Sequence, residues 1–198
     1  GRKNVTKEIY DLKLKNCAEV LQDLNADILG ICEVENRFML EELNRAYLDR
    51  DYSIVHYDSP DSRGIDCALL YDPKIFKLLE SKPIGNILPG NLPTRDIIHA
   101  KGTYKDQLLH IFVNHWPSNY GGREKAIPKR AATSNLLENV LLNILLDDSD
   151  ANIILIGDFN EEPTDSNIIE LIDMKNGNRN AKPFINLMDP LVGREKVG

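Results

Sequence analysis

Three apolar segments of this chain each run straight into a cluster of polar, chemistry-bearing residues, and that recurrence limits the fold more than any other feature. They are Ile28-Leu29-Gly30-Ile31-Cys32 before Glu33, Ile111-Phe112-Val113 before Asn114-His115-Trp116-Pro117-Ser118, and Ile153-Ile154-Leu155-Ile156 before Gly157-Asp158-Phe159-Asn160. Short apolar runs bounded by turn residues read as buried strands. Catalytic and binding groups collect at such strand ends, where a rigid sheet aims side chains into a shared crevice. If the three strands are neighbours, Glu33, His115, Asp158 and Asn160 converge.

Between these runs the periodicity changes. Leu14, Cys17, Ala18, Leu21 and Leu24 recur at spacings of three and four and predict a helix over 8–24. Met39, Leu40, Leu43, Ala46 and Tyr47 predict another over 36–47. Strands are expected at Tyr52–Tyr57, Cys67–Tyr71, Ile97–Tyr104 and Gln107–Val113, the last two joined by a Lys105-Asp106 turn. The proline-rich stretch Ser81–Thr94 reads as a loop. Pro128 suits the first turn of a long helix ending near Leu146, and Ser166–Met174 reads as a short one. Helices interspersed with strands, some of them antiparallel, imply a layered α/β architecture. At 198 residues the chain is expected to be a single domain over 1–198 with a core of its own, and a monomer.

Charge removes one class of function. With 24 Lys+Arg against 31 Asp+Glu the net charge is −7, so the chain cannot hold nucleic acid by bulk electrostatics. Work on phosphates then needs a metal or a local basic pocket. No apolar run is long enough to span a membrane, and no signal-peptide core is present. The compartment stays open between the cytoplasm and secretion after processing. Cys17, Cys32 and Cys67 show no CxxC pairing and read as buried free thiols. Nucleophile-elbow, P-loop, zinc-helix and dinucleotide-binding signatures are all missing.

The polar clusters carry specific chemistry. A carboxylate at a sheet rim, as at Glu33, suits a hard cation such as Mg²⁺, although a surface glutamate capping the strand is the ordinary alternative. Asp158 and Asn160 lie two apart, on one side of extended backbone, and together can hold and orient a water. An Asx-type turn is the alternative there. His115, stiffened by the following Trp-Pro, can donate to a phosphate oxygen. His56, His99 and His110 have no such setting and read as structural. Arg63 and Arg130 are candidate phosphate clamps or ordinary surface arginines, and Asn114 is a further candidate substrate contact.

Taken in order, Ala26–Asn36, Arg63-Gly64-Ile65-Asp66, Asn114–Ser118 and Gly157-Asp158-Phe159-Asn160 resemble the endonuclease/exonuclease/phosphatase superfamily, the DNase I-like fold, and its bacterial members in particular. The resemblance covers about residues 8–190. It implies a four-layer sandwich, two packed mixed sheets flanked by helices, with Mg²⁺ (or Mn²⁺) on Glu33. Asp158 and Asn160 would position and activate water, and His115 would stabilise the phosphate. The implied substrates are phosphate esters, either nucleic acid or small phosphodiesters and phosphomonoesters. Family members also open with a strand bearing an asparagine and close on a Ser-Asp-His segment, neither of which is in this sequence. Glu35 stands where related nucleases often carry a basic residue, which disfavours a DNA backbone nearby. A non-catalytic binding protein that keeps the sandwich is the competing expectation.

Overall fold

Local signals set the first helices. Thr6 Oγ1 accepts from the Ile9 amide at 3.4 Å and caps α1 (Lys7–Leu24), which ends on Asn25 at φ 43°. Asn36 Oδ1 accepts from the Met39 amide at 2.9 Å and caps α2 (Arg37–Tyr47). This is a computed structural model, and it describes residues 5–173 and 184–191. The strands are β1 (Ile28–Val34), β2 (Ser53–His56), β3 (Asp66–Tyr71), β4 (Phe76–Ile84), β5 (Ile87–Leu88), β6 (Leu92–Pro93), β7 (Ile97–Tyr104), β8 (Gln107–His115) and β9 (Asn152–Asp158). Helix α3 (Arg123–Asp147) lies between β8 and β9, and α4 (Ser166–Asp173) follows β9. The expected Met174 end of α4 lies outside the described residues.

Two sheets carry the core. One has the order β1-β3-β2 and is antiparallel throughout; the other, β4-β7-β8-β9, is mixed, with β8 and β9 parallel. Only the second sheet is therefore mixed, where both were expected to be. Every residue of β3 is buried because both its faces are covered. Cys67, Leu69 and Tyr71 meet Ile98, Ala100, Ile111 and Val113 between the sheets, while Ala68 and Leu70 face Leu40 of α2 and Leu21 of α1. On the far side, Ile97 and Phe112 pack under Leu137 and Leu141 of α3 and Leu171 of α4. The result is the expected four-layer sandwich of helices, sheet, sheet and helices.

Two boundaries differ from expectation. Phe76–Ile84 is a strand although part of it reads as loop: β4 is an edge strand, where Pro83 and a bulge between Leu78 and Glu80 are tolerated. Helix α3 begins at Arg123, five residues before Pro128, because tertiary contacts hold its first turn. Arg123 pairs with Asp165 at 2.7 Å, and Ala126 is buried. Cys17 is exposed and Cys32 half-buried, so of the three thiols only Cys67 is fully enclosed.

The helix-facing side of the mixed sheet also holds a pair of buried histidines. His99 Nε2 lies 3.0 Å from His110 Nδ1, and His99 stacks on Phe112 with centroids 4.3 Å apart. Burial, with His110, Lys82 and Lys101 nearby, pushes the His99 pKa down to about 4. Burial, with Lys101, also lowers that of His110. Unfolded histidine titrates near 6.5, so between about pH 6.5 and 4 the unfolded chain binds more protons than the folded one. Stability present above that window is lost as pH falls through it, by about 3 kcal/mol for His99. Urea unfolding from pH 7 to pH 4 should show that slope, and His99→Gln should flatten it. An unchanged slope in the variant would refute the assignment.

Candidate active site

The site is assembled by three strand ends meeting on one rim. Parallel pairing of β8 with β9 sets His115 opposite Asp158 and Asn114 opposite Gly157. That close approach needs a glycine: Gly157 has φ 121°, and a Cβ there would lie 2.0 Å from the Asn114 carbonyl oxygen. Strand β1 joins from the other sheet, where Cys32 Sγ donates to the Asn114 carbonyl oxygen at 3.3 Å. Glu33 comes next. Pairing passes from Cys32↔Cys67 to Val34↔Asp66, which leaves Glu33 as the unpaired residue of a bulge at φ 62°. Bulges re-aim side chains, and this one exposes the Glu33 carboxylate.

Trp116 ties the rim together. Its amide donates to the Asp158 carbonyl oxygen at 2.8 Å, and its carbonyl oxygen accepts from Asn160 Nδ2 at 3.0 Å. Asp158 Oδ1 in turn accepts from the Asn160 amide at 2.9 Å, and Asn160 has φ 51°, so the pair closes the Asx-type turn and not the extended backbone expected for its functional reading. With Nδ2 committed, Asn160 retains its Oδ1 acceptor. His115 Nε2 stands 4.0 Å from Asp158 Oδ2. Burial pushes the His115 pKa down, helped by the nearby Arg95 cation and opposed by Asp158 and Glu33. The same carboxylates therefore act on His115 from two sheets, and its ring favours the neutral form. Its Nδ1 is buried with no hydrogen-bond partner among the described residues.

Glu33, His115, Asp158 and Asn160 thus share one rim. Glu33 and Asp158, the latter with a side chain 56% exposed, present carboxylate oxygens, the donors a hard cation such as Mg²⁺ takes. The donor set fits that ion. Another group of possible ligands, His56, Asp58 and Asp66, has donor atoms within 4.8 Å of one another. Its buried members are already bonded: Asp66 accepts from Ser59 N at 2.9 Å and Ser59 Oγ at 2.6 Å, and lies 3.2 Å from His56 Nε2.

Two expected substrate contacts are placed elsewhere. Asn114 is fully buried; its Nδ2 donates to the Phe112 carbonyl at 3.2 Å, and its Oδ1 accepts from Trp116 Nε1 at 3.2 Å. It fastens Trp116 rather than facing solvent. Arg130 is also fully buried, its guanidinium engaged with Glu161, the Pro117 carbonyl and Asn119 Oδ1. A side chain enclosed in this way cannot clamp a phosphate; it anchors the loop after His115. Arg63, by contrast, is exposed and paired with Asp61. Sequence reading missed Arg95, which is buried beside the rim and donates to the Trp116 carbonyl at 2.7 Å. Its neighbours Thr94 and Asp96 resemble loop surface, and only tertiary pairing with Asp61 reveals the site.

A sequence profile of the Endonuclease/Exonuclease/phosphatase family matches residues 1–198. The chain belongs to that family. Its fold is similar to that of truncated Caenorhabditis elegans TDP2, at TM-score 0.61 and 21% identity over 79% of this chain and 58% of that one. The human nocturnin catalytic domain with bound sulfate matches at TM-score 0.60 and 21% identity, over 80% of this chain and 61% of that one. A mannosyl-6-phosphatase from Bacteroides thetaiotaomicron matches at TM-score 0.60 and 17% identity, over 83% and 62%. The chain therefore spans less than two thirds of each of these solved proteins. No curated protein sequence matches it significantly. None of the described helices is long and apolar enough to cross a membrane.

Proposed function

We propose that this member of the family is a divalent-cation-dependent phosphoesterase that attacks phosphorus with water, in line with the leaving group. The observation that carries the reading is the meeting of Glu33 from one sheet with His115, Asp158 and Asn160 from the other. Glu33 would hold Mg²⁺ or Mn²⁺, which supplies Lewis-acid polarisation of the phosphate and a clamp on its oxygens. Asp158 accepts the proton of the attacking water, and Asn160 Oδ1 orients that water. His115, neutral and rigidly seated, donates to a phosphate oxygen as charge grows on it. Exposed Arg63 gathers the substrate anion at the mouth of the site. The net charge of −7 and the exposed Glu35 favour small phosphodiesters and phosphomonoesters over long nucleic acid. The Asn114–Ser118 segment further supports a place among the family's bacterial members.

A hydrolysis panel tests this: plasmid DNA, bis-p-nitrophenyl phosphate and inositol phosphates, each with and without Mg²⁺ or Mn²⁺. Cation-dependent cleavage of the small esters is expected. A folded chain that binds phosphate but cleaves nothing would instead be a binding protein. Glu33→Gln should abolish cation-dependent hydrolysis and reduce Mg²⁺ affinity in calorimetry while leaving circular dichroism unchanged, because it removes only the charge a hard cation needs. Unaltered affinity in the folded variant would remove Glu33 from the cation site.

A further inference from the structure

We propose that Arg95 and Asp61 form a positioning pair, which couples the substrate-facing Arg63 to the water-orienting Asn160 through the Trp116 carbonyl; this rests on the phosphoesterase reading above. Arg95 is only 5% exposed. Its Nη2 donates to the Trp116 carbonyl oxygen at 2.7 Å, the same oxygen that receives Asn160 Nδ2 at 3.0 Å. Its Nη1 reaches Asp61 Oδ2 and Thr94 Oγ1, each at 3.3 Å. The other carboxylate oxygen, Asp61 Oδ1, accepts from the Arg63 amide at 2.9 Å and lies 3.4 Å from Arg63 Nε. One buried carboxylate therefore has an exposed arginine on one oxygen and an enclosed arginine on the other.

The chemistry selects arginine here. A guanidinium is a rigid planar fork that fixes two acceptors in set directions, which a lysine ammonium cannot do. Burial pushes the Asp61 carboxyl up, but hydrogen bonds from Arg63 and Arg95 outweigh it and hold the group below the usual carboxylate range. The bridge is thus charged at neutral pH. Arg95 also carries a cost that packing does not explain, since its Nε is buried without a hydrogen-bond partner among the described residues. A residue kept at such a cost beside a reactive rim is placed for the rim's geometry. Neither Arg95 nor Asp61 needs to touch substrate. They act through Asn160 and Arg63.

Trp116 is the only tryptophan in the chain, so its emission reports on the indole of the residue whose carbonyl Arg95 and Asn160 share, and a displacement of that residue reaches it. The test uses Arg95→Lys, Asp61→Asn and the double variant, each checked for fold by circular dichroism. Arg95→Lys keeps the charge and loses the fork; kcat should fall about 10²-fold, the effect of misplacing a reacting group by about 1 Å, with KM little changed. Asp61→Asn should raise KM about tenfold, the size of one weakened charged hydrogen bond, and should also shift Trp116 emission by loosening Arg95. The double variant should be less than additive, because the pair acts as a unit. Wild-type kcat in Arg95→Lys, unshifted Trp116 emission in Asp61→Asn, or strict additivity would each overturn the coupling. If the wild-type chain hydrolyses nothing, the phosphoesterase reading fails on its own, and the emission of Asp61→Asn still decides whether the coupling exists.

Discussion

Replacing Asp158 with asparagine is expected to lower kcat by about 10²–10⁴-fold, the range for losing a positioned general base, while leaving KM nearly unchanged. The substitution is close to isosteric, and the Asn160 amide that donates to Oδ1 at 2.9 Å can still find an oxygen there. What disappears is the capacity to take the proton of the attacking water. Because that interaction strengthens on the way to the transition state, its loss appears in turnover and not in binding. Steady-state kinetics on a chromogenic phosphodiester separate the two. A variant with normal kcat and raised KM would make Asp158 a binding residue and remove the proposed mechanism.

The second large effect concerns stability. Arg130→Met should destabilise the fold by about 3–5 kcal/mol, since it strands the buried carboxylate of Glu161 without its cation. The Pro117 carbonyl and Asn119 Oδ1, at 3.2 and 2.9 Å, lose their donor as well. For a chain of this size that corresponds to a fall in Tm of about 10 °C. Arg130→Met combined with Glu161→Gln should recover part of the loss, because the buried charge is then gone. Denaturant unfolding measures both. A loss under about 1 kcal/mol in the single variant would mean that the pair is more hydrated than its burial implies.

Arg130 also shows where reading from the sequence stops. The three strand-to-polar transitions were legible because each combined a short apolar run with a turn-forming cluster, and such runs have few other places to go. The helices were legible from their spacing. Strand β4 was not, since an edge strand is half-exposed and its Phe76-Lys77-Leu78-Leu79-Glu80 pattern is broken by a bulge. Pro128 misplaced the start of α3 because a local preference was outweighed by Arg123 pairing with a residue 42 positions away. Charged side chains were the hardest. Arg63, Arg95 and Arg130 look alike in a sequence; Arg63 pairs with Asp61 two positions away and is exposed, while Arg95 and Arg130 are enclosed with partners 34 and 31 positions away. Asn114 is illegible for a related reason: its amide is used on Trp116 and on the backbone of two strands, partners that only the folded sheet supplies.

The bulge at Glu33 has a consequence for anyone engineering this fold. An L-residue with a long side chain in the left-handed region costs about 1–2 kcal/mol, and glycine would relieve it. A thermostability screen run without a binding readout should therefore enrich Glu33→Gly as an improvement, and in doing so discard the carboxylate proposed to hold the cation. Directed evolution of this scaffold needs Mg²⁺ affinity scored beside melting temperature in every round; otherwise its most rewarded variant will be a more stable and catalytically silent protein.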